Sequence, residues 1–263
     1  MNPELSYASQ PANIEPEPAP QNLFSRLIGV WFSPGETFAE IGRSPRWLIP
    51  LLLFLIISVS GIYLLTERYG REKLAREQVE MVANSGWVPQ DQVEKMTQEA
   101  TSPAAINRSK ITGTLGAAGG IMVMLLIVAG LLKAFSLMMG YENRFKALFS
   151  VTIYAFLAVG VITTLVIIVT AYLKDPSEID MLNPIGSNLA AVLAMAGVEL
   201  PKFVMGLLSY VDVFGIWRLI LLAIACAAVT RKMKVGTAMG FMVVLYIIGA
   251  LAGAAMTSMF GAG

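Results

Sequence analysis

Five stretches of the chain stay apolar for long enough to cross a hydrocarbon core of about 30 Å, which takes roughly 20 residues of helix. They cover residues 47–65, 115–139, 147–172, 211–229 and 236–260. The pattern predicts an all-α, multi-pass membrane protein, a five-transmembrane-helix bundle. A sixth apolar run, NPIGSNLAAVLAMAGV at 183–198, is shorter and opens on Asn183 and Pro184. It reads as re-entrant or interfacial rather than spanning.

The polar parts divide the rest. Residues 1–22 hold five prolines, three glutamates and no lysine or arginine. Such a segment cannot bury enough apolar surface to fold and is expected as a disordered, cytoplasmic tail. It lacks the basic start and early apolar core of a signal peptide, so the first span is expected to remain in place. Residues 23–46 follow, with Leu23, Leu27, Ile28 and Trp31 at helical spacing, then Ser33, Pro34 and Glu36 set as the start of a second short helix. These read as juxtamembrane amphipathic helices, either lying at the surface or simply leading into the first span. On the surface reading Arg26, Arg43 and Arg46 face phosphate headgroups, while Trp31, Phe38 and Trp47 suit the interfacial belt.

Residues 66–114 form a polar loop with seven basic and seven acidic side chains. Glu67 with Arg71, Glu72 with Arg76 and Lys73 with Glu77 stand four apart, which supports a solvated helix, and Pro89 and Asp91 suit the first turn of another. The loop is a charged helical hairpin or, more sharply, a docking surface.

Composition confirms the class: 56% of residues are hydrophobic, 14% are charged and mean hydropathy is +0.67. A net charge of +1 with scattered cations gives no field for nucleic acid. The absence of histidine removes histidine metal sites and Ser-His or Cys-His dyads. No catalytic, cofactor-binding or metal-binding residues are therefore assigned, and the chain is read as non-enzymatic. The single cysteine, Cys226, lies among alanines and reads as a small packed hydrophobe.

Short connections set the orientation, because positive charge is retained on the cytoplasmic side. Arg26, Arg43 and Arg46 precede the first span, Arg144 and Lys146 join the second to the third, and Arg231, Lys232 and Lys234 join the fourth to the fifth. The short parts of the other side offer Lys174 and Lys202. The N-terminus is expected to be cytoplasmic and the C-terminus outside.

Two charges fall inside the fourth span. Ser209 and Asp212 resemble a capping box, which places Asp212 in the first helical turn as a structural group, with a polar site as the alternative. Arg218 lies about 10 Å deeper by a rise of 1.5 Å per residue, about 120° around the helix from Asp212. It should point into the bundle or snorkel, with Asp175, Asp180 and Glu199 as candidate partners. Trp217 reads as a belt or packing aromatic, and Lys133 as a snorkelling lysine near a span end. Gly116 and Gly120, Gly236 and Gly240, and Gly249 and Gly253 are four apart, a spacing that lets helices approach closely. Packing within one bundle is the first expectation and homo-oligomerisation the second.

In order and spacing, SPGETFAEI…SPRWLIPLLL, GYENRFKALFSVTIYAFL, DPSEIDMLNPIGSNLAAVL and YVDVFGIWRLILLAI resemble the Yip1 domain family, chiefly its bacterial-type branch. The resemblance spans nearly all of residues 33–255. Tyr210 stands where the family usually has leucine, and Ala225-Cys226 where it often has glycine. The resemblance implies five membrane helices and no known catalytic activity. Eukaryotic members are implicated in vesicle traffic through contacts with prenylated Rab-type GTPases, but no segment here identifies such a contact. The expected function is a membrane scaffold or adaptor that binds other proteins or organises lipid. The rival is a small transporter or channel using Arg218 and the 183–198 segment.

Overall fold

The computed structural model of the protein describes residues 22–84, 88–179, 184–230 and 232–260. The proline-rich tail up to residue 21, together with Asp180, Asn183 and Arg231, lies outside them. Eleven α-helices are assigned among the described residues: α1 (Leu23–Phe32), α2 (Pro34–Arg43), α3 (Leu48–Tyr69), α4 (Arg71–Asn84), α5 (Gln90–Thr101), α6 (Pro103–Met138), α7 (Phe145–Leu173), α8 (Leu189–Met195), α9 (Lys202–Ser209), α10 (Val213–Val229) and α11 (Val235–Phe260). A short 3-10 turn covers Pro176–Glu178. The only β-type pairing among the described residues is an isolated bridge between Asn188 and Asp212.

Four of these helices, Leu48–Tyr69, Pro103–Met138, Phe145–Leu173 and Val235–Ser258, are long and apolar enough to cross a membrane. α10 is apolar but only 17 residues long. The chain is an integral, multi-pass membrane protein.

α7 is the hub. Every residue from Ala147 to Val159 is buried, including Ser150 and Thr152, which is the signature of a helix covered on all sides. Thr152 returns its hydroxyl proton to the Leu148 carbonyl at 2.9 Å, so this buried polar group costs little. α3 runs parallel to α7 and meets it about every two turns. Trp47 packs on Phe149, Phe54 on Phe156, Gly61 on Thr164, and Arg68 donates to the Ala171 carbonyl. The steps are seven residues along α3 and seven, eight and seven along α7, close to the repeat of coiled-coil packing. α6 returns between them and stops at Gly140, whose φ of +73° a side chain would resist. There the Tyr141 N–H closes back on the Ser136 carbonyl at 2.8 Å.

α6 starts at Pro103, twelve residues before the apolar run, because Ser102 caps it by accepting from Ala105 N at 3.2 Å. The polar loop thus folds into α4, α5 and the first turns of α6. Of its expected pairs, Glu67–Arg71 and Glu72–Arg76 form. Lys73 lies over the Tyr69 ring instead, and Glu77 accepts from the Tyr69 hydroxyl.

α1 and α2 depart from the surface expectation. Val30, Phe38 and Ile41 are fully buried in the main core, α2 packs along α10, and the Trp31 indole N–H donates to the Ala158 carbonyl at 3.1 Å, thirteen residues into α7. The pair is a helical hairpin set into the bundle, with Phe24 and Phe32 exposed. Arg26, expected at the headgroups, is 1% exposed and bonds Glu40 at 2.8 Å. Its stripe of apolar neighbours meets protein rather than lipid, so the cation needs an internal partner. Arg43 and Arg46 remain exposed.

Candidate functional site

α9 and α10 pack in succession along α11. Gly206 lies against Ala254 and Gly215 against Tyr246, so nine residues forward on one side match eight back on the other. Between them the helix breaks at Tyr210–Asp212. Tyr246 is eleven residues from Val235 and fourteen from Phe260, about 17 and 21 Å by the helical rise, which places the break near mid-length of α11.

An unwound backbone at that depth must find partners within the protein. The Tyr246 hydroxyl donates to the Tyr210 carbonyl at 2.7 Å, and the Leu189 N–H donates to the Val211 carbonyl at 3.0 Å. Asp212 is itself the N-cap of α10, accepting from Gly215 N at 2.6 Å through one oxygen and from the Ser187 hydroxyl through the other. Ser209 ends α9 and bonds the Gly206 carbonyl, so the capping box expected from the sequence is replaced by a direct cap. Asn188 caps α8 in the same way, accepting from Ala191 N at 2.9 Å. Two capped helix starts therefore sit side by side, joined by the Asn188–Asp212 bridge.

The 183–198 run accordingly gives a turn at Pro184, a capped seven-residue helix and a stop at Gly197 (φ +73°), with Met195 exposed. Ser187, Asn188 and Tyr246 were not singled out from the sequence. Asn188 does stand immediately before an apolar helical run, the standard position of a cap. Tyr246 shows itself only as the lone hydroxyl in the middle of an apolar span.

Arg218 meets none of its expected acids among the described residues. Asp175 accepts from Ser177 N at 2.9 Å and from the Ser177 hydroxyl at 2.6 Å, bonds that hold its carboxyl below the usual range, and Glu199 is exposed. The guanidinium instead lies 5.0 Å over the buried Phe156 ring, with Asp212 and Tyr246 as its electrostatic neighbours. The face of an aromatic ring attracts a cation, so the Phe156 ring stands where a directly bonded acid was expected. Trp217 is half-buried against the main core. Lys133 donates to the Asn143 carbonyl at 2.5 Å, ending inside the protein rather than at lipid.

Of the paired glycines, Gly116, Gly120, Gly236, Gly240 and Gly249 have open space where a side chain would begin, with none of the described residues beyond their own helix turns within 4 Å. Gly253 alone is closely approached, by the Tyr210 ring at the break. The tight glycine contacts of the bundle fall elsewhere, at Gly61 on Thr164, Gly160 on Phe54 and Gly206 on Ala254. Four-residue spacing marks a smooth helix face, and the paired positions of α6 and α11 other than Gly253 are exposed.

The break therefore holds one carboxylate bonded to the Ser187 hydroxyl, one guanidinium, a tyrosine hydroxyl and two capped helix starts. No group of three acidic or cysteine side chains close enough to hold a metal occurs among the described residues. Cys226 is buried, 3.8 Å from the Met233 sulfur, and packs as a hydrophobe. Comparison with known families matches the Yip1 domain over residues 28–259. No curated protein and no solved structure matches the chain.

Proposed function

The chain belongs to the Yip1 domain family, and from that premise we propose that it is a non-enzymatic membrane scaffold or adaptor of the bacterial inner membrane. The observation that carries this reading is the saturation of the break. Both Asp212 oxygens and the carbonyls of Tyr210 and Val211 have partners on α8, α10 and α11 or beside them, so the polar groups at depth tie helices together. A transport site leaves such groups free for a solute in one of its states.

In this reading the chain crosses five times, with α9 and α10 together making the fourth crossing. At about 12 Å and 25 Å by helical rise they jointly exceed the hydrocarbon thickness. Arg43, Arg144 and Lys232 line one cavity, which supports placing the connections that carry them on the same, cytoplasmic side. The C-terminus then lies outside, and α4 and α5 form an outer polar hairpin available to a protein partner.

The transporter reading has one observation in its favour, the discontinuous helix itself. A cysteine scan separates the two. With Cys226 replaced, cysteines at 187, 212 and 218 are expected to resist aqueous thiol reagents in intact membranes, and proteoliposomes are expected to pass no more ion or solute than empty vesicles. Labelling at 212 and 218 together with measurable flux would establish the transporter. A reporter fused after Gly263 that is active in the cytoplasm would refute five crossings.

A further inference from the structure

A cavity of about 1100 Å³ opens at the end of the bundle where α2 and α10 finish and α7 begins. Its wall carries three exposed cations, Arg43, Arg144 and Lys232, none of which has an ion pair among the described residues. The acids there are Glu142 and Glu40, and Glu40 is already paired with Arg26. The cavity therefore has an excess of positive charge. It also contains the start of α7, where no side chain caps the helix, so the first N–H groups of a 29-residue helix add a partial positive charge beside Arg144.

Two wall residues ask for the opposite chemistry. Glu40 Oε2 and Asn143 Oδ1 are buried acceptors that receive no hydrogen bond from the described residues. The other atoms of both groups are fixed, since Glu40 Oε1 holds Arg26 and Asn143 Nδ2 donates to Thr230 Oγ1 at 3.2 Å. A buried acceptor without a donor is costly, and a cation that also donates N–H satisfies it best.

We propose that this cavity binds a phosphate ester carrying a primary ammonium, the chemistry of a phosphatidylethanolamine headgroup, taken from the adjoining lipid leaflet. The phosphate lies among Arg43, Arg144, Lys232 and the start of α7, and the ammonium donates to Glu40 and Asn143. Exposed Met139 and Phe145, next in sequence to the wall residues Gly140 and Arg144, offer apolar surface for the acyl chains. The site stands whether or not the outer hairpin docks a protein, so it is independent of the adaptor reading.

The full chain, purified and stripped of lipid, is offered equimolar phosphatidylethanolamine, phosphatidylcholine and phosphatidylglycerol, and retained lipid is read by native mass spectrometry. Phosphatidylethanolamine is expected to dominate. Phosphatidylcholine has the phosphate but no ammonium N–H, and phosphatidylglycerol has no ammonium at all. Joint R144Q and K232Q substitution, at two exposed positions, is expected to weaken retention at least about tenfold, the scale of one lost charge-assisted contact. N143L is expected to remove the preference for ethanolamine over choline while leaving phosphatidylglycerol retention unchanged. Glycerophosphoethanolamine without acyl chains distinguishes the sources, and millimolar amounts are expected not to displace the lipid. Equal retention of choline and ethanolamine lipids, or unchanged retention in the double variant, would overturn the proposal, and displacement by the soluble ester would overturn its lipid source. Unfolding midpoints of the variants equal to the parent exclude a folding defect, and K232Q alone serves if the double variant yields too little protein.

Discussion

Removing either member of the Arg26–Glu40 pair tests whether α1 and α2 belong to the core. Arg26 is 1% exposed and makes three bonds: to Glu40 Oε1 at 2.8 Å, to the Ser44 carbonyl at 3.2 Å and to the Ser44 hydroxyl at 2.5 Å. Breaking a buried pair by deleting one partner typically costs about 3–5 kcal/mol, whereas a surface pair is worth about 0–1 kcal/mol. The two deletions should be unequal. In Arg26→Met the abandoned carboxyl can neutralise by taking up a proton, and Glu40 retains 15% exposure, so about 3 kcal/mol is expected. In Glu40→Leu the guanidinium cannot neutralise, so the cost rises toward about 5 kcal/mol. The double variant removes both charges and should recover much of the loss. Denaturant unfolding of the detergent-solubilised protein, followed by tryptophan fluorescence, reads all four corners of the cycle. Two single losses below about 1 kcal/mol, or a double variant equal to their sum, would refute the embedded hairpin and restore the surface reading.

The break and its surroundings give three more expectations. Asp212→Asn keeps an acceptor for Gly215 N and should cost about 1 kcal/mol, whereas Asp212→Leu abandons that donor and the Ser187 hydroxyl and should cost about 2–4 kcal/mol by the same unfolding assay; if Asn is as damaging as Leu, charge itself matters there. Arg218→Met should cost only about 1–2 kcal/mol, the range of a desolvated cation–π contact, and a loss above about 3 kcal/mol would mean that it has an acidic partner after all. Gly253→Ala should destabilise the fold through overpacking against Tyr210, by about 1–3 kcal/mol in the same unfolding assay, while Gly249→Ala should be neutral or slightly stabilising; equal effects at the two sites would sink the contact argument.

Helix identity was legible because it depends on local composition. The apolar runs at 147–172 and 236–260 differ from α7 and α11 by a residue or two, since nothing beyond chain neighbours decides where such a run ends. Arg26 was misjudged for the complementary reason. A cation on the polar side of a short amphipathic helix looks the same whether a phosphate or Glu40 answers it, and a separation of fourteen positions hides the pairing. Asp212 falls between these cases. Its suitability for a helix start was visible, but Ser187 lies 25 positions earlier and Tyr246 is on another helix, so the break they support was not.

The glycines carry the same distinction into packing. Gly236 and Gly240 have the spacing for close approach but nothing opposite them, while Gly160, with no partner four residues away, faces the Phe54 ring. What fixes a helix contact is the size of the residue across the seam. That is also why α3 and α7 fit so closely: the large rings of Trp47 and Phe54 meet Phe149 and Phe156, and Gly61 then makes room for Thr164 two turns further on. Arg218 rests on that same Phe156 from the α10 side. The ring thus joins the polar break to the α3–α7 seam, so a substitution such as Phe156→Leu should disturb both together, whereas Phe149→Leu should disturb the seam alone.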